Sequence, residues 1–429
     1  MRLPSLGKFR SKSAIAASAA ILLFAPTAAV ANAEPEPAPA PALPAELIAA
    51  VTRDLKISPE EYLRRADVSQ QLATFATTAQ RQFPEVYGGS WLNEAGQAVV
   101  ALTQGPGADE ARKAAQDAGF EVRAVAKSES ALRGEKSAFQ RWLEEQPAPV
   151  AALIRGVAID TVNNSIAVRV DQPGLPMPSF IDPSRVLVMA PPVAAEQLPE
   201  AAPIAGAIDR ASLTGGDGYA SVAGRSSLRC SFGFNGTQGG KTVNITAGHC
   251  NPALDQPTAV HELVGDRLGN QLGSFQKSVL GSQDYSIVRI DDQHKGRFDN
   301  SGVKVNGAAP IIIEGVATPV VGAPVCKSGS RTGFSCGVVN AVDQTVQVGD
   351  RELTQSFSAN ICALPGDSGG PIVTGRLALG ISSASSVADY PVCAIPEFLG
   401  MLTGNAPQLF AQPLNVVLSD NPGLRVNTN

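Results

Sequence analysis

The chain has 429 residues, more than one ordinary domain needs, with 44% hydrophobic and 17% charged residues. That is enough apolar material for a sizeable core and too little charge for a disordered protein. The net charge of -5, from 34 Lys+Arg against 39 Asp+Glu, argues against electrostatic nucleic-acid binding as the main activity. Gly (41) and Pro (32) are plentiful and aromatics make up only 5%, which favours turn-rich β structure over long helical bundles.

Arg2, Lys8, Arg10 and Lys12 precede an apolar run from Ala14 to Phe24, and Val30-Ala31-Asn32-Ala33 supplies small residues before a cleavage after Ala33. This is the three-part pattern of a secretory signal peptide over residues 1–33. The run is about eleven residues, against the ~20 that span a bilayer, so the expectation is a secreted protein, extracellular or cell-envelope associated, with no membrane span after signal removal. Residues 34–44, EPEPAPAPALP, read as a semi-rigid spacer. An α+β region is expected over 45–190. Ala45 to Leu55 and Ser58 to Phe83 carry apolar residues at helical spacing. Ser58-Pro59-Glu60-Glu61 reads as a helix start, with N-cap, proline and first-turn acids. Two similar strand–turn–strand units follow, at Gly88 to Leu102 and at Arg155 to Val170 with Asn163-Asn164 in its turn. Helical stretches at 108–118 and 129–146 lie between them, so the region reads as a repeated unit.

A second Pro/Ala-rich segment, 191–203, opens a linker that runs to 212. All six cysteines (230, 250, 326, 336, 362, 393) and all three histidines (249, 261, 294) come after it. From residue 213 to 429, short β-type runs are broken by Gly, Asn and Asp, which suggests an all-β sandwich or barrel with a terminal helix near Pro413 to Leu418.

Gly366-Asp367-Ser368-Gly369-Gly370-Pro371 carries the chemistry. A serine hydroxyl needs a base to take its proton and backbone N–H groups to hold the oxyanion. Gly366 and Ser368 are placed to supply those amides. The segment also fits the Gly-x-Ser-x-Gly elbow of α/β-hydrolases, in which the histidine follows the serine. Here His294 is the last histidine, so a lipase or esterase of that type is excluded. His249, in Thr246-Ala247-Gly248-His249-Cys250, ends an apolar β run. His261 and His294 sit in polar stretches and read as solvated loop residues. Asp284 opens the strand Asp284-Tyr285-Ser286-Ile287-Val288-Arg289-Ile290, where an acid can be buried against an imidazole. Asp266, Asp291, Asp292 and Asp299 read as turn or surface acids.

Together the three motifs resemble the bacterial branch of the chymotrypsin clan, the alpha-lytic protease and streptogrisin group. Leu213 to Asp217 is similar to the mature N-terminus of streptogrisins, Cys230 to Asn235 to their first strand, and Phe410 to Leu414 to the approach to their C-terminal helix. The resemblance implies two six-stranded antiparallel β-barrels with a C-terminal helix over 213–429, preceded by an α+β pro-region that acts as intramolecular chaperone and inhibitor. It implies a serine endopeptidase acting on protein or peptide substrates, with no cofactor and no metal, and cleavage near Ser212 to Leu213 by the enzyme itself. His249 would be the general base, Asp284 its orienter, Ser368 the nucleophile, and the Gly366 and Ser368 amides the oxyanion hole. The alternative is a catalytically inactive surface or interaction protein on the same scaffold.

Six cysteines allow fifteen pairings, and the absence of Cys-x-x-Cys spacing argues against metal. The family layout implies Cys230 with Cys250, Cys326 with Cys336, and Cys362 with Cys393. By the same resemblance Asn360 stands where trypsin-like enzymes bind a basic side chain with aspartate. With Ile361, Ser383, Ala384 and Ser385 it would then form an uncharged pocket for small or medium residues, Ser383 to Ser385 pairing with substrate backbone. Asp367 needs a cation, and Lys327 occupies the expected place, with Arg331 nearby as a substitute. The apolar stretch Ala394 to Gln408 is longer than the family pattern and reads as a pocket-rim loop.

Overall fold

The computed structural model describes Leu43–Pro192, the backbone of Glu196–Gln197, and Ala211–Asn429. The expected signal peptide, nearly all of the first spacer and most of the 191–212 linker lie outside these residues.

Helix α1 (Ala45–Ala50) runs into a π-helical turn that ends at Lys56, in the left-handed region. Helix α2 (Pro59–Gln82) starts as the sequence predicts, with the Glu61 amide donating to Ser58 Oγ at 3.2 Å and acids in its first turn facing the positive end of the helix dipole. Strands β1 (Tyr87–Leu92) and β2 (Ala98–Leu102) form an antiparallel hairpin, and α3 (Ala108–Asp117) crosses to β3 (Glu121–Ala124), parallel to β2. The second unit repeats this plan. After α4 (Glu129–Glu144) and α5 (Ala148–Ala151), β4 (Ile154–Asp160) and β5 (Ser165–Val170) pair antiparallel, and β6 (Val186–Val188) lies parallel to β5. A 3-10 turn at Pro183–Arg185 replaces α3 on the way to β6.

The first sheet of this region stands alone, whereas the second continues into the C-terminal half through β4. There β7 (Glu196–Gln197) pairs with β9 (Ser226–Ser231), which also pairs with β8 (Gly218–Ala223). Strands β10 (Phe234–Gln238), β11 (Lys241–Thr246), β12 (Ala259–Val264), β13 (Arg267–Leu280) and β14 (Asp284–Ile290) follow. Only Phe232-Gly233 separates β9 from β10. Taken as one bent strand they close a six-membered ring, because β12 pairs β8 and β11 pairs β14.

Short strands β15 (Gly302–Val303), β16 (Ile311–Ile312) and β17 (Gly315–Val316) lead to a second ring. It contains β18 (Pro324–Gly329), β19 (Gly333–Val348), β20 (Arg351–Ala359), β21 (Pro371–Thr374), β22 (Leu377–Ser385) and β23 (Leu409–Pro413). It closes because β18 pairs both β19 and β21. The chain ends in α7 (Leu414–Ser419) and β24 (Leu424–Val426), which returns to pair with β10 of the first ring. Residues 394–408 depart from the expected loop. They hold α6 (Ala394–Thr403), whose apolar side chains Phe398, Met401 and Leu402 are exposed.

The N-terminal region and the barrels share one core. Leu47, Val51 and Tyr62 belong to the same buried cluster as Phe232, Ile245 and Ile381. Tyr62 is fully buried and its hydroxyl accepts the Gly375 amide at 3.0 Å, while Asp54 accepts the Cys336 amide at 2.9 Å. On the other side half-buried Arg169 of β5 reaches Ser358 and Gln344, with its guanidinium 5.4 Å from the centre of the Phe410 ring. Between these anchors, β4 adds to the free end of β19 with Thr345 opposite Val157 and Val346 opposite Gly156. A Cβ at Gly156 would lie 2.6 Å from Thr345 O, so only glycine permits this approach. Gly156→Val should therefore open the seam, read as lost hydrogen-exchange protection at Thr345 and Val346; unchanged protection would show that the anchors alone hold it.

Candidate active site

His249 lies just beyond β11, in a 3-10 turn Gly248–Cys250 that the Cys230–Cys250 bridge ties to β9. The turn packs so closely on β13 that a Cβ at Gly248 would fall 1.9 Å from Val279 O. That contact brings the His249 amide to Asp284 Oδ1 at 2.9 Å and His249 Nδ1 to Asp284 Oδ2 at 2.7 Å. Asp284 is fully buried at the start of β14, its own amide donating to Gln412 Oε1 of the second barrel at 3.0 Å. Ser383 Oγ also donates to Oδ2. Burial alone would raise this carboxyl's pKa. The His249 charge and hydrogen bond, then the Arg351 charge and the Ser383 hydrogen bond, outweigh burial and hold it well below its ordinary range. With Nδ1 committed to the acid, Nε2 is the free ring nitrogen, buried and without a hydrogen-bond partner.

Ser368 sits between β20 and β21 and reaches the first barrel through its carbonyl, which accepts the Ser231 amide at 2.8 Å. Its hydroxyl makes no hydrogen bond to His249 Nε2 in this structure; such contacts often tighten only when substrate binds. Neither the Gly366 amide nor the Ser368 amide is spent on an internal hydrogen bond, which leaves two donors beside the hydroxyl. The loop is pinned by Asp367. This buried carboxylate accepts the amides of Leu364, Arg331 and Thr332 at 3.1, 3.0 and 2.9 Å, together with the Thr332 hydroxyl. Lys327, also fully buried, meets it at 3.2 Å. The expected cation is thus in place, and Arg331 contributes its backbone while its side chain is exposed.

A profile of the trypsin family matches residues 221–404. Glutamyl endopeptidase 2 of Streptomyces griseus is 35% identical over 158 residues, 37% of this chain and 79% of its own. Serine protease 2 of Streptomyces fradiae is 33% identical over 180 residues, 41% of this chain and 95% of its own. The chain is a serine endopeptidase of the trypsin family. Streptogrisin-C of Streptomyces griseus is 27% identical over 352 residues, 80% of this chain and 70% of its own, so that likeness extends well upstream of Leu213. Among solved structures, Thermobifida fusca protease A is 28% identical with a TM-score of 0.40, covering 51% of this chain and all of that one.

The slot beside Ser368 is narrow. Ala363, Leu364, Pro365, Ser382 to Ser385 and Leu409 line a free volume of about 10 Å³, room for roughly one water. Ser383, Ala384 and Ser385, expected at the pocket, line this slot. Asn360 and Ile361, expected beside them, lie outside it. Asn360 turns its Oδ1 to the Val338 amide at 2.6 Å and borders a separate cavity, and Ile361 is buried in the second barrel's core. The chain between Cys362 and Ser368 lines the slot from Ala363 onward, so Asn360 and Ile361, on the far side of the cysteine, face elsewhere. The six cysteines stand at disulfide distance as 230–250, 326–336 and 362–393.

Two outcomes follow. A carboxylate with a lowered folded-state pKa contributes stability that is fully present above its unfolded value and lost as pH falls through the folded one. Asp284→Asn should therefore flatten the decline of stability below pH ~4, measured by denaturant unfolding at stepped pH in a Ser368→Ala background. Lys327→Ala should cost about 3–5 kcal/mol in the same assay, because it leaves the Asp367 charge buried and unpaired.

Proposed function

We propose that this enzyme cleaves peptide bonds through His249, Asp284 and Ser368 and is made as a secreted pro-enzyme. The observation that carries the reading is the buried Asp284–His249 pair, whose open Nε2 lies in the barrel that also holds the Ser368 carbonyl. Nε2 takes the Ser368 proton as Oγ attacks the scissile carbonyl. Asp284 fixes the tautomer and stabilises the imidazolium, and the Gly366 and Ser368 amides receive the oxyanion of the tetrahedral intermediate. The imidazolium then protonates the leaving amine. An acyl-enzyme remains, which water attacks by the same route in reverse.

Residues 45–190 are the pro-region in this reading, serving as folding chaperone and inhibitor, supported by the shared core and by the β4 strand on β19. Processing near Ser212 to Leu213 is supported by the change from exposed Ala211 and Ser212 to buried Leu213, whose amide donates to Arg297 O at 2.8 Å. Export rests on the basic, apolar and small-residue order of residues 1–33. No helix of the described residues is long and apolar enough to cross a membrane.

The substrate side chain that enters the slot is small and uncharged. One relative is named a glutamyl endopeptidase, but no histidine and no cation line the slot here, so a buried glutamate would meet no counter-charge. His261, expected in a loop, stands half-buried in β12 beside Gly269 O, and His294 lies in the turn after β14 beside Gln293.

An organophosphonate probe should label Ser368 in the processed protein, and Ser368→Ala should accumulate uncleaved precursor. Normal processing of that variant would favour an inactive scaffold instead. A peptide-library profile should show cleavage after small residues; dominant cleavage after Glu, Arg or Lys would overturn the pocket reading.

A further inference from the structure

Asp284 has more partners than orienting an imidazole requires. Besides His249 and Ser383, the Arg351 guanidinium lies with Nη1 3.2 Å from Oδ2, its side chain only 13% exposed. Nη1 makes no hydrogen bond of its own, so among the described residues this ion pair is its polar contact. Arg351 opens β20 at the tip of the β19–β20 hairpin, opposite Val348. Three residues on, the Thr354 amide donates to Ser282 O at 2.8 Å, in the loop that leads into Asp284. The hairpin is thereby fastened to the first barrel next to the acid. Val346, Val348, Leu353 and Phe410 form a buried apolar cluster there, which excludes the water and salt that would screen the charge.

The guanidinium does not deprotonate, so two cations, His249 when protonated and Arg351 always, compete for one carboxylate. Among the described residues Tyr219 of β8 also lies near Asp284, a buried phenol that desolvation keeps protonated; Ser383 of β22 and Gln412 of β23 face the acid as neutral groups.

We propose that Arg351 is a positioning residue of the triad: its fixed guanidinium charge, 3.2 Å from Asp284 Oδ2, shares that carboxylate with the His249 imidazole and so tunes how readily His249 accepts the Ser368 proton. The idea rests on the triad reading above.

The test is the pH profile of kcat/KM for processed enzyme obtained from the full-length chain. Arg351→Met should move the acid-side midpoint to higher pH by about one unit, and Arg351→Lys should restore most of the parent profile. Arg351→Gln, uncharged but polar, is the second variant should Met fail to fold. An acid limb that superimposes on the parent in either neutral variant overturns the proposal. So does a pattern in which both neutral variants fail to fold while Arg351→Lys folds, since the side chain then serves the hairpin alone. His249→Ala, run in parallel, separates the two readings. Retained activity there removes the triad itself, whereas lost activity with an unmoved Arg351 limb removes only this role.

Discussion

One fully buried carboxylate, Asp284, organises the middle of this molecule. A lone charge at such depth is strongly unfavourable, so it must be compensated from every side. Its partners come from different parts of the chain: His249 from the first barrel, Ser383, Gln412 and Arg351 from the second. The barrels cannot slide past each other without exposing that charge to apolar surroundings. The seam between the barrels is therefore fixed beside the residues proposed for catalysis.

A second buried charge, Asp367, does the corresponding work for the Ser368 loop. It gathers three backbone amides and Lys327 around one carboxylate. An ammonium offers a point charge without the planar fork of arginine. The Thr332 hydroxyl and the Gly333 carbonyl supply the remaining contacts for the Lys327 amine.

The long β19–β20 hairpin connects these parts to the N-terminal region. Its β19 edge carries β4, and its tip brings Arg351 to Asp284. The same region reaches the barrels again through Tyr62, Asp54 and Arg169. The N-terminal half thus holds the second barrel on two faces while the first three-stranded sheet, β1 to β3, stays outside the barrel sheets.

Local chemistry makes much of this legible in the sequence. Ser58-Pro59-Glu60-Glu61 announced α2, Asn163-Asn164 the turn between β4 and β5, and the order histidine, aspartate, serine selected the residues that the fold brings towards one seam. These signals act over a few residues, or depend on chain order alone. What the sequence hid depends on through-space neighbours. Asn360 and Ala363 are three residues apart, yet only one lines the slot, because the path of the loop between Cys362 and Ser368 decides it. Ala394 to Gln408 reads as a loop in sequence, yet Ala394–Thr403 folds as a helix that starts directly after Cys393. Arg351, in Gly349-Asp350-Arg351-Glu352, looks like any hairpin-tip charge; its place against an acid 67 residues earlier follows from the packing of one barrel on the other. The sequence by itself determined which residue types, in which order, are available for the proposed chemistry. The tertiary structure alone decided which charges share a buried space, because burial and proximity are properties of the packed chain.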